Sequence, residues 1–66
     1  MFIEIDDILI NVNNITKIYY RIYDSEPTET RFVICIHTND GSITKLTFKN
    51  KEKFESKWEW LRDIVP

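Results

Sequence analysis

Apolar and polar residues alternate along the first two thirds of the chain, and this is the period of a half-buried β-strand. Two short alternating segments, 2–5 and 8–12, flank the Asp-Asp pair at 6–7, and two polar residues between short strands are typical of a β-hairpin. The Asn-Asn pair at 13–14 is a second turn signal, because asparagine tolerates the left-handed backbone conformation. The N-terminal part therefore predicts a hairpin followed by a turn.

Three longer segments of the chain then carry strand signals. Residues 15–23 and 31–38 are rich in β-branched and aromatic side chains, which favour strands over helices. The stretch 24–30 between them contains a proline and acidic residues and predicts an exposed loop. The sequence Asn-Asp-Gly-Ser at 39–42 predicts a tight turn, because glycine adopts a positive φ at little cost, and 43–48 is the return strand.

The hydrophobic period changes from two to 3.6 near the C-terminus, which indicates a helix over residues 51–64. Asn50 is suited to cap the first turn with its side-chain oxygen. The apolar residues are spaced to form one stripe along this helix: Phe54, Trp58, Leu61 and Val65. We expect the first three to be buried. The stripe should cover the sheet face formed by Ile18, Tyr20, Ile22, Phe32, Ile34, Ile36, Leu46 and Phe48.

Together these elements predict an α+β fold and a single small domain over residues 1–66. It consists of a four- to five-stranded antiparallel sheet, a β-hairpin plus a three-stranded meander, with one C-terminal helix packed on one face. A core of this size supplies only about 3–5 kcal/mol. Because Cys35 is the only cysteine, an intrachain disulfide cannot add to it. We therefore expect self-association as the additional source of stability.

The second face of the predicted sheet carries apolar and aromatic side chains that a single helix cannot reach. The solvated side of a one-sided antiparallel sheet is normally polar. Either the N-terminal hairpin covers this face as a partial barrel, or another chain does. Trp60 lies off the helix stripe, and tryptophan is enriched at interfaces. The candidate homodimer interface is Tyr19, Tyr23, Val33 and Trp60.

A group of lysines, here named the lysine corner, gathers around the end of the last strand and the start of the helix: Lys45, Lys49, Lys51 and Lys53. Free amides at a helix start, together with ammonium groups, can bind anions. Lys49, Lys51 and Lys53 are therefore candidate anion-binding residues. The alternative is an ordinary lysine-rich surface that Glu52 and Glu55 offset. The net charge of −2 also differs from the basic character that is usual for nucleic-acid binders.

Residues that could carry catalysis or bind a metal are few. Cys35 and His37 are two apart on a strand and should share a face. A structural zinc site takes four ligands, however, and the chain has no further cysteine or histidine. Parallel neighbours on one strand do not assemble a nucleophile, a base and an orienting group. Asp6 and Asp7 should diverge in a solvated turn. We predict no enzyme activity, no metal and no cofactor.

These observations favour a non-enzymatic interaction module in the cytoplasm of a bacterium or encoded by its phage. The single cysteine fits a reducing compartment, and the N-terminus lacks the features of a secretory signal. The absence of alanine and glutamine, with abundant isoleucine, lysine and asparagine, is typical of an AT-rich genome. We expect the partners to be a second copy and an unidentified protein, with no membrane involved. The alternative is nucleic-acid or phosphate binding through the lysine corner.

Overall fold

Five antiparallel strands precede one C-terminal helix, which confirms the predicted α+β class. The computed structural model describes residues 1–26 and 29–65, with the backbone alone at 25 and 26. The elements are β1 (Phe2–Ile5), β2 (Ile8–Asn11), a 3-10 turn (Val12–Asn14), β3 (Ile15–Glu26), β4 (Glu29–Thr38), β5 (Ile43–Phe48) and α1 (Lys51–Ile64).

The strands β1 and β2 form the predicted hairpin as a sheet of their own. Its turn is Asp6-Asp7, and both residues have a positive φ, 48° and 67°. Positive φ at both central residues is what a type I′ turn requires, and this turn matches the twist of paired strands. The second strand ends at Asn11, one residue earlier than predicted, because the Asn11 side chain accepts a hydrogen bond from the Asn13 amide and starts the 3-10 turn.

The strands β3, β4 and β5 form the predicted meander, in which β4 is central and β3 and β5 are the edges. The prediction of a loop over 24–30 was wrong for most of that stretch. Pairing continues until Glu26 lies opposite Glu29, while Pro27 and Thr28 lie outside the described residues. The continuing ladder outweighs the low strand preference of the acidic residues, because strand preference depends strongly on context.

The turn between β4 and β5 is the one predicted at 39–42. Gly41 has a φ of 88°, which is in the region that favours glycine. The Asp40 carboxylate accepts a hydrogen bond of 2.7 Å from the Thr38 hydroxyl and one of 2.9 Å from the Ser42 amide. These bonds, the Thr38 hydroxyl first, lower the pKa of the Asp40 carboxyl below its usual value, because they favour the charged form.

The core lies on one side of the meander, where the helix and the hairpin both pack. Ile34 and Ile36 of β4 and Leu61 of α1 are fully buried at its centre. Inward side chains of the hairpin, including Ile3 and Ile10, belong to the same cluster. The hairpin therefore packs on the helix side, and it does not cover the second face of the meander as a partial barrel.

The helix spans Lys51–Ile64, as predicted, and the Asn50 side chain caps it by accepting a hydrogen bond of 3.0 Å from the Lys53 amide. The expectation that Trp58 is buried was wrong. Trp58 is half-buried and packs edge-on against Tyr20, with 5.0 Å between the ring centroids. Its position follows from the placement of the helix, which packs mainly on β4 and β5.

Two residues of β3 were expected under the helix but remain half-exposed. Tyr20 is 47% exposed and Ile22 is 53% exposed. Both lie on the core side of an edge strand, beyond most of the area that the helix covers. Apolar surface is therefore left next to the outer edge of β3.

Within the part of the chain that is described, no helix combines the length and the apolarity needed to cross a membrane.

Candidate functional site

The face of the meander that points away from the helix is uncovered in the described chain. Successive side chains of a strand point to opposite faces, so the strand register assigns this face to alternate residues. We call it the open face. It comprises Lys17, Tyr19, Arg21 and Tyr23 of β3, Glu29, Arg31, Val33, Cys35 and His37 of β4, and Ile43, Lys45 and Thr47 of β5.

Cations dominate the open face. Four exposed side chains carry positive charge there: Lys17, Arg21, Arg31 and Lys45. Among the described side chains of this face, the one carboxylate is that of Glu29, 3.8 Å from the guanidinium of Arg31. The whole chain has a net charge of −2. Charge is thus segregated, and a positive face belongs to an acidic protein.

Tyr19 is the centre of a polar cluster at one end of the open face. Its hydroxyl forms a hydrogen bond of 3.1 Å with Nε2 of His37. The Lys17 Nζ atom and the Arg21 Cζ atom each lie 5.5 Å from the centroid of the Tyr19 ring. These distances are within the range of cation–π attraction. The Tyr19 ring therefore stabilises the positions of the Lys17 and Arg21 charges on either side of it along β3.

Val33 and Cys35 form the floor of the open face. They are 9% and 3% exposed, although no element of the described chain lies over them. Longer side chains on the neighbouring strands shield them, since Tyr19 and Lys45 flank Cys35 and Arg21 lies next to Val33. The polar neighbours thus provide cover that the sequence analysis assigned to the hairpin or to another chain.

A depression of about 380 Å³ lies at the other end of the open face, lined by Tyr23, Arg31, Val33 and Thr47. Tyr23 is half-exposed and lies directly opposite Arg31 in the strand pairing. Aromatic rings and planar guanidinium groups both stack on flat unsaturated rings. Two side chains that can stack on a planar group therefore line the depression, above an apolar floor.

The structure brings together only part of the predicted homodimer interface. Tyr19, Tyr23 and Val33 share the open face, but Val33 is buried and offers little contact area. Trp60 lies on α1, 40% exposed, with the Lys57 Nζ atom 4.6 Å from the centroid of its ring. It is therefore not continuous with the other three.

The structure also divides the lysine corner. Lys45 points to the open face, because it lies opposite Cys35 in the sheet. Lys51 lies 3.8 Å from the carboxylate of Glu55. The amide of Lys53 already donates to the capping side chain. Fewer donors at the helix start are thus free than the sequence analysis assumed, and Lys49, Lys51 and Lys53 remain as exposed lysines.

A second depression, of about 570 Å³, lies beside the helix and includes Phe48, Glu52, Lys53, Lys57 and Trp60 in its walls. Its charges are mixed, and one of its lysines already packs on its tryptophan ring. It consequently lacks the excess of positive charge that distinguishes the open face.

Cys35 and His37 share a face, as strand alternation predicts. The Cys35 thiol is buried, however, and Nε2 of His37 hydrogen-bonds to Tyr19. No group of three or more histidine, cysteine or acidic side chains gathers among the residues that the structure covers. Cys35 thus contributes to the floor of the open face, and His37 contributes to one edge of it.

No protein-family model, curated protein or solved structure matches this chain. The chemistry of the open face is therefore inferred from the residues that form it.

Three of the four cations of the open face, Lys17, Arg21 and Arg31, were not predicted as functional residues, whereas Lys45 was predicted as part of the lysine corner. The alternation of Lys17, Tyr19, Arg21 and Tyr23 along β3 was a usable signal, because it places two cations and two aromatic rings on one face. Arg31 and Lys45 belong to other strands, and only the register adds them to that face.

Proposed function

We propose that the protein is a non-enzymatic interaction module that binds single-stranded nucleic acid through the open face. The observation that carries this proposal is the segregation of charge, because four exposed cations and two tyrosines occupy one face of an acidic protein. A basic patch is the electrostatic footprint of a nucleic-acid binder. Binding of a single strand combines such a patch with aromatic side chains on which bases stack.

The shape of the open face favours a single strand over a duplex. Duplex DNA is read mainly by elements that enter a groove, such as a helix or a β-ribbon, and the described part of this face is a sheet surface. The bases of a single strand can instead be splayed onto side chains. The depression lined by Tyr23 and Arg31 is proposed to receive one such base. Lys17, Arg21 and Lys45 would then meet phosphates.

The cytoplasmic location and the bacterial or phage source belong to the same proposal. The buried, unpaired thiol of Cys35 fits a reducing compartment, in which single cysteines persist.

Fluorescence anisotropy with a labelled single-stranded oligonucleotide tests the proposal. For single strands, the logarithm of affinity falls with the logarithm of salt concentration by about 0.7 per neutralised phosphate. Three phosphate contacts, by Lys17, Arg21 and Lys45, give a slope of about −2.1, so affinity should fall about 18-fold between 50 and 200 mM salt. A duplex of the same sequence should bind more weakly.

Two variants and one control locate the contact. Tyr23→Ala should weaken binding by about 5- to 150-fold, which corresponds to the loss of about 1–3 kcal/mol of stacking. Arg21→Ala should reduce the salt slope by about 0.7. Lys53→Ala removes an exposed cation outside the open face and should leave both the affinity and the salt slope unchanged.

The variants distinguish binding at the open face from binding at the lysine corner. If Lys53→Ala weakens binding and Arg21→Ala does not, the lysine corner is the binding site. If no oligonucleotide binds at low salt, the proposal fails, and the unidentified protein partner expected from the sequence remains as the alternative.

A further inference from the structure

The outer edge of β3 carries backbone donors and acceptors that no described strand pairs with. This strand of 12 residues lies at the edge of the meander, and the hairpin forms a separate sheet. Natural proteins usually protect such edges by shortening them, by charged side chains, by proline, by bulges or by covering them. Of these devices, β3 has Lys17 and Arg21 and irregularities near its ends. The register irregularities of β3 lie near its ends, between Ile15 and Lys17 and between Asp24 and Glu26. The stretch between them is regular and contains no proline.

Apolar side chains lie beside this edge on the core side. Tyr20 and Ile22 are about half-exposed there, although they belong to the face that the helix covers elsewhere. An edge with unpaired backbone and adjacent apolar surface is suited to pair with another strand.

We infer that β3 pairs antiparallel with β3 of a second copy, around a two-fold axis at Tyr20. When two identical edges pair antiparallel, the axis is perpendicular to the sheet, and each copy presents the same face to the same side. Residues that lie opposite each other then share a face, and one residue lies opposite its own copy. The position of the axis can be inferred from which side chains it would place opposite each other.

On the open face, a centre at Tyr20 places every cation of β3 opposite an aromatic ring. Arg21 lies opposite Tyr19 of the second copy, and Lys17 lies opposite Tyr23 of the second copy. If the two-fold axis lay at Tyr19, Arg21 would lie opposite Lys17 of the second copy. If the axis lay at Arg21, this residue would lie opposite Arg21 of the second copy. Like charges directly opposite each other destabilise a sheet, whereas a cation over a ring is favourable.

On the core side, the same register pairs apolar residues. Ile18 lies opposite Ile22 of the second copy, and Tyr20 meets Tyr20. The half-exposed apolar surface beside the edge thus becomes covered. Both helices lie on one side of a continuous six-stranded sheet, and the two open faces join on the other side. The inference rests on the edge of β3 and stands independently of nucleic-acid binding.

Disulfide trapping tests the register. In a Cys35→Ala background, Tyr20→Cys places a thiol opposite its own copy. Facing Cα atoms are about 4.5–5.5 Å apart, which is within the reach of a disulfide. Ile22→Cys is the control, because it is similarly exposed but lies about 13 Å from its own copy at four residues of offset. Mild oxidation should give a covalent dimer with the first variant and no covalent cross-link with the second. Preferential cross-linking of the second would overturn the register.

Sedimentation equilibrium tests the association itself. The wild-type protein at tens of micromolar should sediment with about twice the chain mass of 8.0 kDa. Ile22→Lys should raise the dissociation constant by at least about tenfold, because it buries an unpaired ammonium group. Circular dichroism should show that this variant is folded.

Ile43→Lys is the matched control on the other edge strand, where Ile43 is 52% exposed. It should leave the dimer intact. A wild-type protein that stays monomeric at hundreds of micromolar, or a dimer that Ile43→Lys dissociates and Ile22→Lys does not, would overturn the inference.

Discussion

Replacing Leu61 with alanine should remove a large share of the stability of the protein. Leu61 is fully buried and packs in the same cluster as Ile34 and Ile36. Leucine-to-alanine changes in a core cost about 2–5 kcal/mol, because transfer free energy is lost and a cavity remains. At about 0.05–0.15 kcal/mol per residue, a domain of 66 residues has about 3–10 kcal/mol in total. We expect a loss of about 3 kcal/mol.

The free energy of unfolding can be measured with urea, using the fluorescence of the two tryptophans on the helix at one fixed protein concentration. Glu59→Ala is the control, because Glu59 is exposed on the same helix, and its effect should stay within about 0.5 kcal/mol. In a thermal melt, Leu61→Ala should lower the midpoint by about 12–24 °C. A variant that unfolds with the wild-type midpoint would refute the packing of this helix on the sheet.

Trp58→Ala should cost less than the leucine substitution, because Trp58 is only half-buried; urea unfolding would contradict this if the order were reversed. Asn50→Ala should cost about 1 kcal/mol through loss of the helix cap, whereas Asn50→Ser should retain most of the stability; equal melting of the two variants would argue against the cap. The pKa of the Asp40 carboxyl is lowered, so its contribution to stability is complete above the pKa of an unfolded aspartate and is lost as the pH falls through the folded value. An NMR titration should place its midpoint below that of aspartate in an unfolded peptide, and an equal midpoint would contradict the hydrogen bonds of the turn.

The helix could be predicted with its bounds because all its signals are local. Asn50 provides the cap, and the apolar spacing begins four residues later at Phe54. The burial of Trp58 could not be predicted in the same way. It depends on where the helix axis lies over the sheet, and the apolar spacing alone carries no such information.

The lengths of β3 and β4 were underestimated because local signals disagree with the strand pairing. The proline and the acidic residues of 24–30 are local signals for a loop, whereas strand pairing is set by the partner strand. The pairing of Glu26 with Glu29 extends the ladder into this stretch.

The candidate site was visible only in part. Alternation along one strand groups Tyr19 with Arg21 and Tyr23, which is a local pattern. The contribution of Arg31 and Lys45 requires the register of three strands, and this register joins residues that are far apart in the sequence. The sequence indicated an apolar and aromatic face from Tyr19, Tyr23 and Val33, because the charges of Arg31 and Lys45 are assigned to this face only by the register.

The order of the strands has a consequence for how the chain reaches its fold. Every strand pairs only with a direct neighbour in the sequence, β1 with β2 and β4 with β3 and β5. Short loops close at a small entropic cost, and local pairing makes folding fast. We expect the meander to form first, because its ladders need no other element, and the hairpin and helix to dock onto it afterwards. In native-state hydrogen exchange, the amides of the central strand β4 should therefore open last, and those of β1 and β2 should exchange earlier.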